Sequence, residues 1–391
     1  MTEALHRATE AELADWDSRT VDRRDGHVFQ SRAFGEFQRG LGWRTRYLVA
    51  DDGAGLLSLE RRWPWIGGGS AYLPRGPVPG GDAPERTAER LRAAADWLIG
   101  HGVDVVASDA EIPAASRYPG LLRAAGFRPI PEIQPSRHRL RIPLEDRTEA
   151  DVFGGIAKST RQRIRQAEKN GVAIVRFDRR ANADGRASDQ AASGDRATSE
   201  PQAAAEALDA FYDLLLATGE RRGFTFGSRA EFVGWWRTAL AAGHLVYFVA
   251  RARASDAATV SDSMADIAGL ILYRHGGRLS TVHSADRADA RATNPGALHF
   301  LRWRAIQLAI AEGCHEMDLG GVDVDGARRV PLEGEAMFGL YEHKRSFGAE
   351  WQELTGAMEL VAHPLRYRTG RLTARLNREL ARRRPGARDD G

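Results

Sequence analysis

One order of segments can be read twice along this chain: a helix, a two-stranded hairpin, a third strand, a turn, a helix and a further strand. No other feature limits its fold as tightly. In the first half, Ser31 caps a short helix carrying Phe34 and Phe37, and strands over 45–50 and 55–61 flank the turn Asp51-Asp52-Gly53. A third strand over 70–73 ends in Pro74-Arg75-Gly76-Pro77, and an amphipathic helix occupies 84–100. A buried strand over 103–108 leads to Asp109, a helix over 118–125 stops at Gly126, and a strand covers 137–142. In the second half, a helix over 150–170 ends at Asn170-Gly171 and a strand covers 173–177. Helices over 204–219 and 229–242 precede strands over 245–251, 267–275 and 279–284. A helix over 297–312 and a strand over 316–319 complete the half. Strands alternating with helices in this way predict an α/β (α+β) fold, with mixed sheets flanked by helices in two successive domains.

Length and composition narrow the class further. A chain of 391 residues, 42% of them hydrophobic, can bury the cores of two or three domains. Residues 178–203 consist of Ala, Asp, Ser, Gly and Arg with almost no large apolar side chain, which predicts a disordered insertion. A second polar insertion separates the strands over 245–251 and 267–275. No apolar run reaches the roughly 20 residues of a membrane span, and the first 25 residues lack a signal-peptide core, so a cytoplasmic protein is expected. The single cysteine, Cys314, excludes an internal disulfide and a cysteine-rich zinc site.

Charge is unevenly placed although the net value is only +3. Leu365, Leu372, Leu376 and Leu380 form a stripe at helical spacing. Around it stand Arg366, Arg368, Arg371, Arg375, Arg378 and Arg382 to Arg384. Such a helix either lies on acidic lipid or a phosphate backbone, or docks by its leucines with a solvated basic face.

Lysine is almost absent. Of 56 basic residues only Lys158, Lys169 and Lys344 are lysine, so each marks a place where a compact ammonium, rather than a planar guanidinium, has persisted. Lys344 stands between Tyr341 and Phe347. Upstream, Met317-Asp318-Leu319-Gly320-Gly321 reads as a strand running into a glycine turn, with a polar loop between the two stretches.

Several of these stretches resemble the FemABX family. They are Gln30-Ser31 with Gly42-Trp43, Tyr72-Leu73-Pro74-Arg75-Gly76-Pro77, and Gly126-Phe127 with Ile133-Gln134-Pro135. The helix Ser159-Thr160-Arg161 through Ala167-Glu168-Lys169-Asn170-Gly171-Val172, the stretch 218–224, Asp318 to Gly321, and Lys344 to Gly348 continue the series. The resemblance implies two tandem GNAT-like domains. It implies transfer of an amino acid from aminoacyl-tRNA to an amine of a peptidoglycan precursor, soluble and UDP-linked or lipid-linked. A first domain over 1–145 would bind the acceptor, a second over 146–350 the donor, and 351–391 would add a strand and the basic helix. A cytoplasmic monomer with peripheral membrane contact through that helix is the corresponding expectation. A long helical arm found in some members is absent.

The resemblance also implies roles. Lys344 matches the lysine that contacts the donor end, where it would neutralise phosphate or the tetrahedral oxyanion, with Tyr341 and Phe347 stacking on the terminal adenosine. Arg75 and Arg221 are candidates for the acceptor's phosphates; Arg222 replaces an acid common beside Arg221. Gln38 stands where the family often has a phosphate-holding lysine, and Arg39 lies next to it. Asp109 matches an acidic position and either takes the proton of the attacking amine or caps a helix, the cap being favoured. Arg161, Arg165 and Lys169 share one helix face, which either meets tRNA phosphate or is simply solvated.

Attack of an amine on an ester requires positioning and charge stabilisation, so no metal and no cofactor are expected. The rival is a GNAT-type transferase using acyl-CoA. Its pyrophosphate loop would be Arg291-Ala-Thr-Asn294-Pro-Gly296, where Pro295 removes an amide donor. A third reading is a non-catalytic RNA- or membrane-associated protein using the arginine-rich end.

Overall fold

The computed structural model describes residues 4–135, 137–182, 196–222, 226–253, 264–324 and 327–383. In chain order the first elements are β1 (Leu5–Arg7), α1 (Glu10–Ala14), α2 (Arg32–Gly40), β2 (Arg44–Ala50), β3 (Gly55–Arg62) and β4 (Gly69–Leu73). They are followed by α3 (Pro84–Gly100), β5 (Val105–Ser108), α4 (Tyr118–Ala124), β6 (Arg128–Pro129) and β7 (His138–Pro143). Next come α5 (Glu149–Gly155), α6 (Lys158–Lys169), β8 (Ala173–Asp178), β9 (Arg196–Thr198), α7 (Pro201–Arg222) and α8 (Arg229–Ala241). Strands β10 (Leu245–Arg253), β11 (Met264–His275) and β12 (Arg278–Asp286) lead to α9 (Ala290–Thr293), α10 (Ala297–Ala311) and β13 (Glu316–Asp318). The chain closes with α11 (Phe338–Arg345), β14 (Glu350–Glu353), β15 (Met358–Val361) and α12 (Pro364–Arg383).

Two compact units result, one of Met1–Arg137 with Glu353–Gly391 and one of His138–Gln352. The first unit holds a seven-stranded sheet in the order β1-β2-β3-β4-β5-β15-β6. The stretch after 352 therefore supplies an interior strand, β15, antiparallel to both β5 and β6. Helix α3 begins at Pro84, whose missing N–H costs nothing at a helix start, and buries Leu91, Ala94, Ala95 and Leu98 in the core of this unit.

The second unit holds an eight-stranded sheet in the order β14-β7-β13-β12-β11-β10-β8-β9. The repeat read from the sequence is visible in both sheets. Strands β2, β3 and β4 are successively antiparallel, and β5 returns through α3 to lie parallel to β4. Strands β10, β11 and β12 do the same, and β13 returns through α10 to lie parallel to β12.

Three expectations are corrected. The helix expected over 150–170 is two helices. Gly154-Gly155 ends α5, Ile156 is extended (φ −71°, ψ 138°) and buried, and α6 starts at Lys158. The break is held from outside, because the Ala157 N–H donates to the Ser346 carbonyl at 2.8 Å and the Thr160 hydroxyl to Ser346 Oγ at 2.8 Å. The stretch 178–203 is ordered at both ends. Asp178 closes β8, Arg196–Thr198 pairs with Val175–Phe177 as a parallel strand, and α7 starts at Pro201. Residues 183–195 lie outside the described residues. The strands beside the second insertion are longer than expected, reaching Arg253 and starting at Met264, and 254–263 lie outside the described residues.

Candidate functional site

Lys344 does not stand on an open surface. It is 6% exposed, on α11, and its ammonium donates to the Gly321 carbonyl at 2.7 Å. The glycine turn after β13 makes this possible. Asp318 accepts the Gly320 N–H at 2.7 Å, and Gly320 has φ +74°. A Cβ on Gly320 would press within 3.0 Å of the Thr281 carbonyl and 3.4 Å of Lys344 Nζ, so the close approach of turn and ammonium depends on glycine. Burial, and then the charge of Arg302, lower the Lys344 pKa from 10.5 to about 7; Asp318 and Asp323 act against them.

Arg302 is a residue that sequence reasoning missed. It lies in α10, is 2% exposed, and its Nε has no hydrogen-bond partner. Its nearest polar contact is a long one to Thr281 Oγ1 at 3.5 Å, and its guanidinium lies 5.8 Å from the Phe347 ring centroid. Among the described residues no carboxylate pairs with it, and burial brings its pKa down to about 10, so it remains charged at neutral pH. The signal was present: α10 is apolar nearly all round, so an arginine inside it is out of place.

Arg302 lines a cavity of about 730 Å³. The cavity lies where α10 begins, beside the carboxyl end of β12, and is also lined by Arg163, Thr218, Asp286, Gly296, His299 and His343. Gly296 has φ +117°, and a Cβ there would sit 2.4 Å from the Arg163 carbonyl; Asn294, two residues before it, has φ −127°. The first amides of α10 have no acceptor within the helix and add partial positive charge at this wall. Burial lowers the pKa of His299 to about 4 and of His343 to about 2, with Arg302 contributing to both, so these imidazoles are neutral at pH 7. The cavity is therefore lined by four arginines, of which Arg287 and Arg291 pair with Asp289 and Asp286, together with a helix start and two neutral imidazoles, and Lys344 adjoins His343 in the chain. Asp286 is occupied by Arg291 at 2.5 Å.

The remaining candidates fall into distinct roles. Arg221 donates to Thr218 Oγ1 at 3.1 Å and to the Asp286 carbonyl at 2.9 Å, which ties it to two cavity-lining residues. The side chain of Arg222 lies outside the described residues. Phe347 is 1% exposed and part of the second unit's core, so its ring offers no open face for stacking; Tyr341 packs against Trp351 and Phe338. Arg161 donates to the carbonyls of Gly154 at 2.6 Å and Ile156 at 2.8 Å and thereby caps α5. Arg165 lies 5.4 Å from the Phe153 ring, and Lys169 is exposed. Of the face formed by Arg161, Arg165 and Lys169, only Lys169 is thus without a structural contact of this kind.

In the first unit, Asp109 caps a turn rather than a helix. Its carboxylate accepts from the Arg75 N–H at 2.7 Å and the Tyr72 hydroxyl at 2.9 Å, and holds Arg75, itself at φ +53°. Burial raises the Asp109 pKa against the Arg75 charge. The Arg75 guanidinium lies 3.7 Å from Asp109 and 3.6 Å from Glu111 and donates to the Pro135 carbonyl at 3.2 Å. Gln38 and Arg39 lie on α2, and Arg39 donates to Thr45 Oγ1 at 2.9 Å and pairs with Glu36 at 2.8 Å.

The FemAB family profile matches residues 250–375, which include every cavity-lining residue except Arg163 and Thr218. Over residues 250–375 this chain is similar to the FemAB family. No curated protein sequence matches the chain. Its fold is similar to the crystal structure of FemX, with a TM-score of 0.71 at 17% identity over 94% of this chain and 100% of that one. A conserved protein of unknown function from Bacteroides thetaiotaomicron is similar at a TM-score of 0.51 and 13% identity, over 92% of this chain and 99% of that one. The mixed sheets flanked by helices, one in each unit, that the sequence leads one to expect are the architecture found. Of the residues gathered at this site, the glycine turn, Lys344 and Arg221 are marked by the sequence. Arg302, Arg163, His299 and His343 are not.

Proposed function

We propose that this chain transfers an aminoacyl group from aminoacyl-tRNA to an amine of a peptidoglycan precursor. The observation that carries the reading is Arg302, a buried guanidinium that no carboxylate pairs with among the described residues, lining a cavity at a helix start. Such a charge is stabilised by an anion, and an acyl donor that carries phosphate supplies one. The similarity of residues 250–375 to the FemAB family and the likeness to FemX support the same class of reaction.

In this reading the donor's phosphates lie against Arg302, Arg163 and the first turn of α10. The acceptor amine attacks the ester carbonyl, the carbon–oxygen bond to the ribose breaks as the amide forms, and the amine's proton ends on the released ribose hydroxyl. The arriving phosphate raises the Lys344 pKa from about 7, so the ammonium is fully charged when the oxyanion develops. The acceptor is assigned to the first unit, with Gln38 and Arg39 on α2 and the Arg75 turn held by Asp109 as its candidate contacts.

An acyl-CoA donor is the second reading, because the same cavity is lined by Arg291, Asn294 and Gly296 of the turn before α10. One experiment separates the two. The protein is incubated with a mixed charged-tRNA pool, with acyl-CoA, and with both UDP-linked and lipid-linked precursors, and the products are weighed by mass spectrometry. An aminoacylated precursor formed only when charged tRNA is present is expected. Product from acyl-CoA alone would replace this reading with the second.

A further inference from the structure

Helix α12 turns its leucines away from the protein. Leu365, Leu372, Leu376 and Leu380 are 79%, 58%, 44% and 54% exposed. The opposite side is the docked one. Gly370 lies so close to the Trp63 ring that an added Cβ would sit 2.3 Å from it, and the Tyr367 and Trp63 rings are 6.3 Å apart. Asp104 fixes the start of the helix, accepting from the Trp63 indole at 2.9 Å and the Gly69 N–H at 3.1 Å while pairing with Arg366 at 2.9 Å. The outward stripe is therefore set by packing in the first unit. The loop that receives the helix also carries Trp65, which is 68% exposed.

The helix bears seven arginines against one acid, Glu379, which pairs with Arg375 at 3.2 Å. Four bare leucines need an apolar medium, and the arginines around them need negative charge. A nucleic acid offers the charge without a sink for leucine. A second copy of α12 offers leucine and repels the charge. An anionic bilayer surface offers both, with acyl chains for the leucines and lipid phosphate for guanidiniums that reach up along their stems. Among the described residues no helix is long and apolar enough to cross a membrane, so the fit is to a helix lying in the interface. We infer that α12 docks this protein on an anionic lipid surface.

The test is co-sedimentation of the full chain with vesicles of phosphatidylglycerol and phosphatidylcholine, or of phosphatidylcholine alone. Binding to the anionic vesicles at low salt is expected, with little to the neutral ones. The double change Leu372→Gln and Leu376→Gln should weaken binding by roughly tenfold per leucine, and Arg368→Gln by about fivefold. Circular dichroism confirms that the variants keep their helix. Failure to bind anionic vesicles at low salt overturns the inference. So does binding that the leucine changes leave untouched, which is charge attraction alone. A chain that sediments as a dimer dissolved by the same leucine changes would show that a second copy covers the stripe. Docking is independent of the transfer chemistry, so Lys344→Met should bind vesicles as the unmodified chain does.

Discussion

Replacing Lys344 by methionine should stabilise the second unit at low pH while removing activity. The ammonium is buried, and its pKa falls from 10.5 to about 7 because burial and Arg302 both oppose its charge. Between about pH 7 and 10.5 the unfolded chain holds this proton and the folded chain releases it, so stability rises with pH across that window. Below the window both states are charged, and the folded state carries the full cost, on the order of 5 kcal/mol at 1.36 kcal/mol per pH unit. Methionine has a similar length and no charge. Against this gain stands the lost hydrogen bond to the Gly321 carbonyl, about 1–3 kcal/mol. The net expectation is a variant more stable by about 2–4 kcal/mol below the window, and less stable than the unmodified chain above it. Urea denaturation of both proteins below, within and above the window measures the difference, and transfer assays on the same samples should show a loss of at least about a hundredfold. A variant that is less stable below the window, or a difference that does not change sign with pH, would refute the reasoning about Lys344.

Arg302→Met should raise the KM for the phosphate-bearing donor by at least about thirtyfold, the scale of removing a desolvated charge from its partner, with kcat less affected; steady-state kinetics reads the split. Gly296→Ala should destabilise the second unit by about 2–3 kcal/mol in denaturant titration, because φ is +117° and the Arg163 carbonyl occupies the Cβ position. Arg161→Met should cost about 1–3 kcal/mol through the lost cap on α5 and leave the donor KM unchanged; a raised KM would return Arg161 to the RNA-contacting role.

Local chemistry made much of this fold legible. The hairpin around Asp51-Asp52-Gly53 and helix α3 follow from turn residues and apolar spacing, and both repeats of three antiparallel strands, helix and parallel strand were readable in order. Where reading failed, distant contacts had decided the outcome. Within 150–170 only Gly154-Gly155 marks a break; the extended link and the restart at Lys158 are held by Ser346, whose carbonyl accepts the Ala157 N–H from 189 positions away in the chain (346 against 157). Strand β9 is polar and forms only because the edge of β8 is open to it. Phe347 reads in sequence as a stacking surface because aromatic side chains serve cores and ligands alike. Asp109 looks in sequence like any acid after a strand, and only the left-handed Arg75 beside it shows which amide it serves.

The path of β15 bears on how such a chain is made. Arg128 pairs with Glu359 across 231 positions, and β15 separates β5 from β6 in the first sheet. On the ribosome, residues 138–352 emerge as one contiguous block and can close their own sheet. The earlier-born unit must wait, with β5 and β6 unbridged, until residues 358–361 are translated. Order of synthesis and order of completion are thus reversed, and chains truncated shortly after 352 should release a finished second unit attached to an unfinished first one.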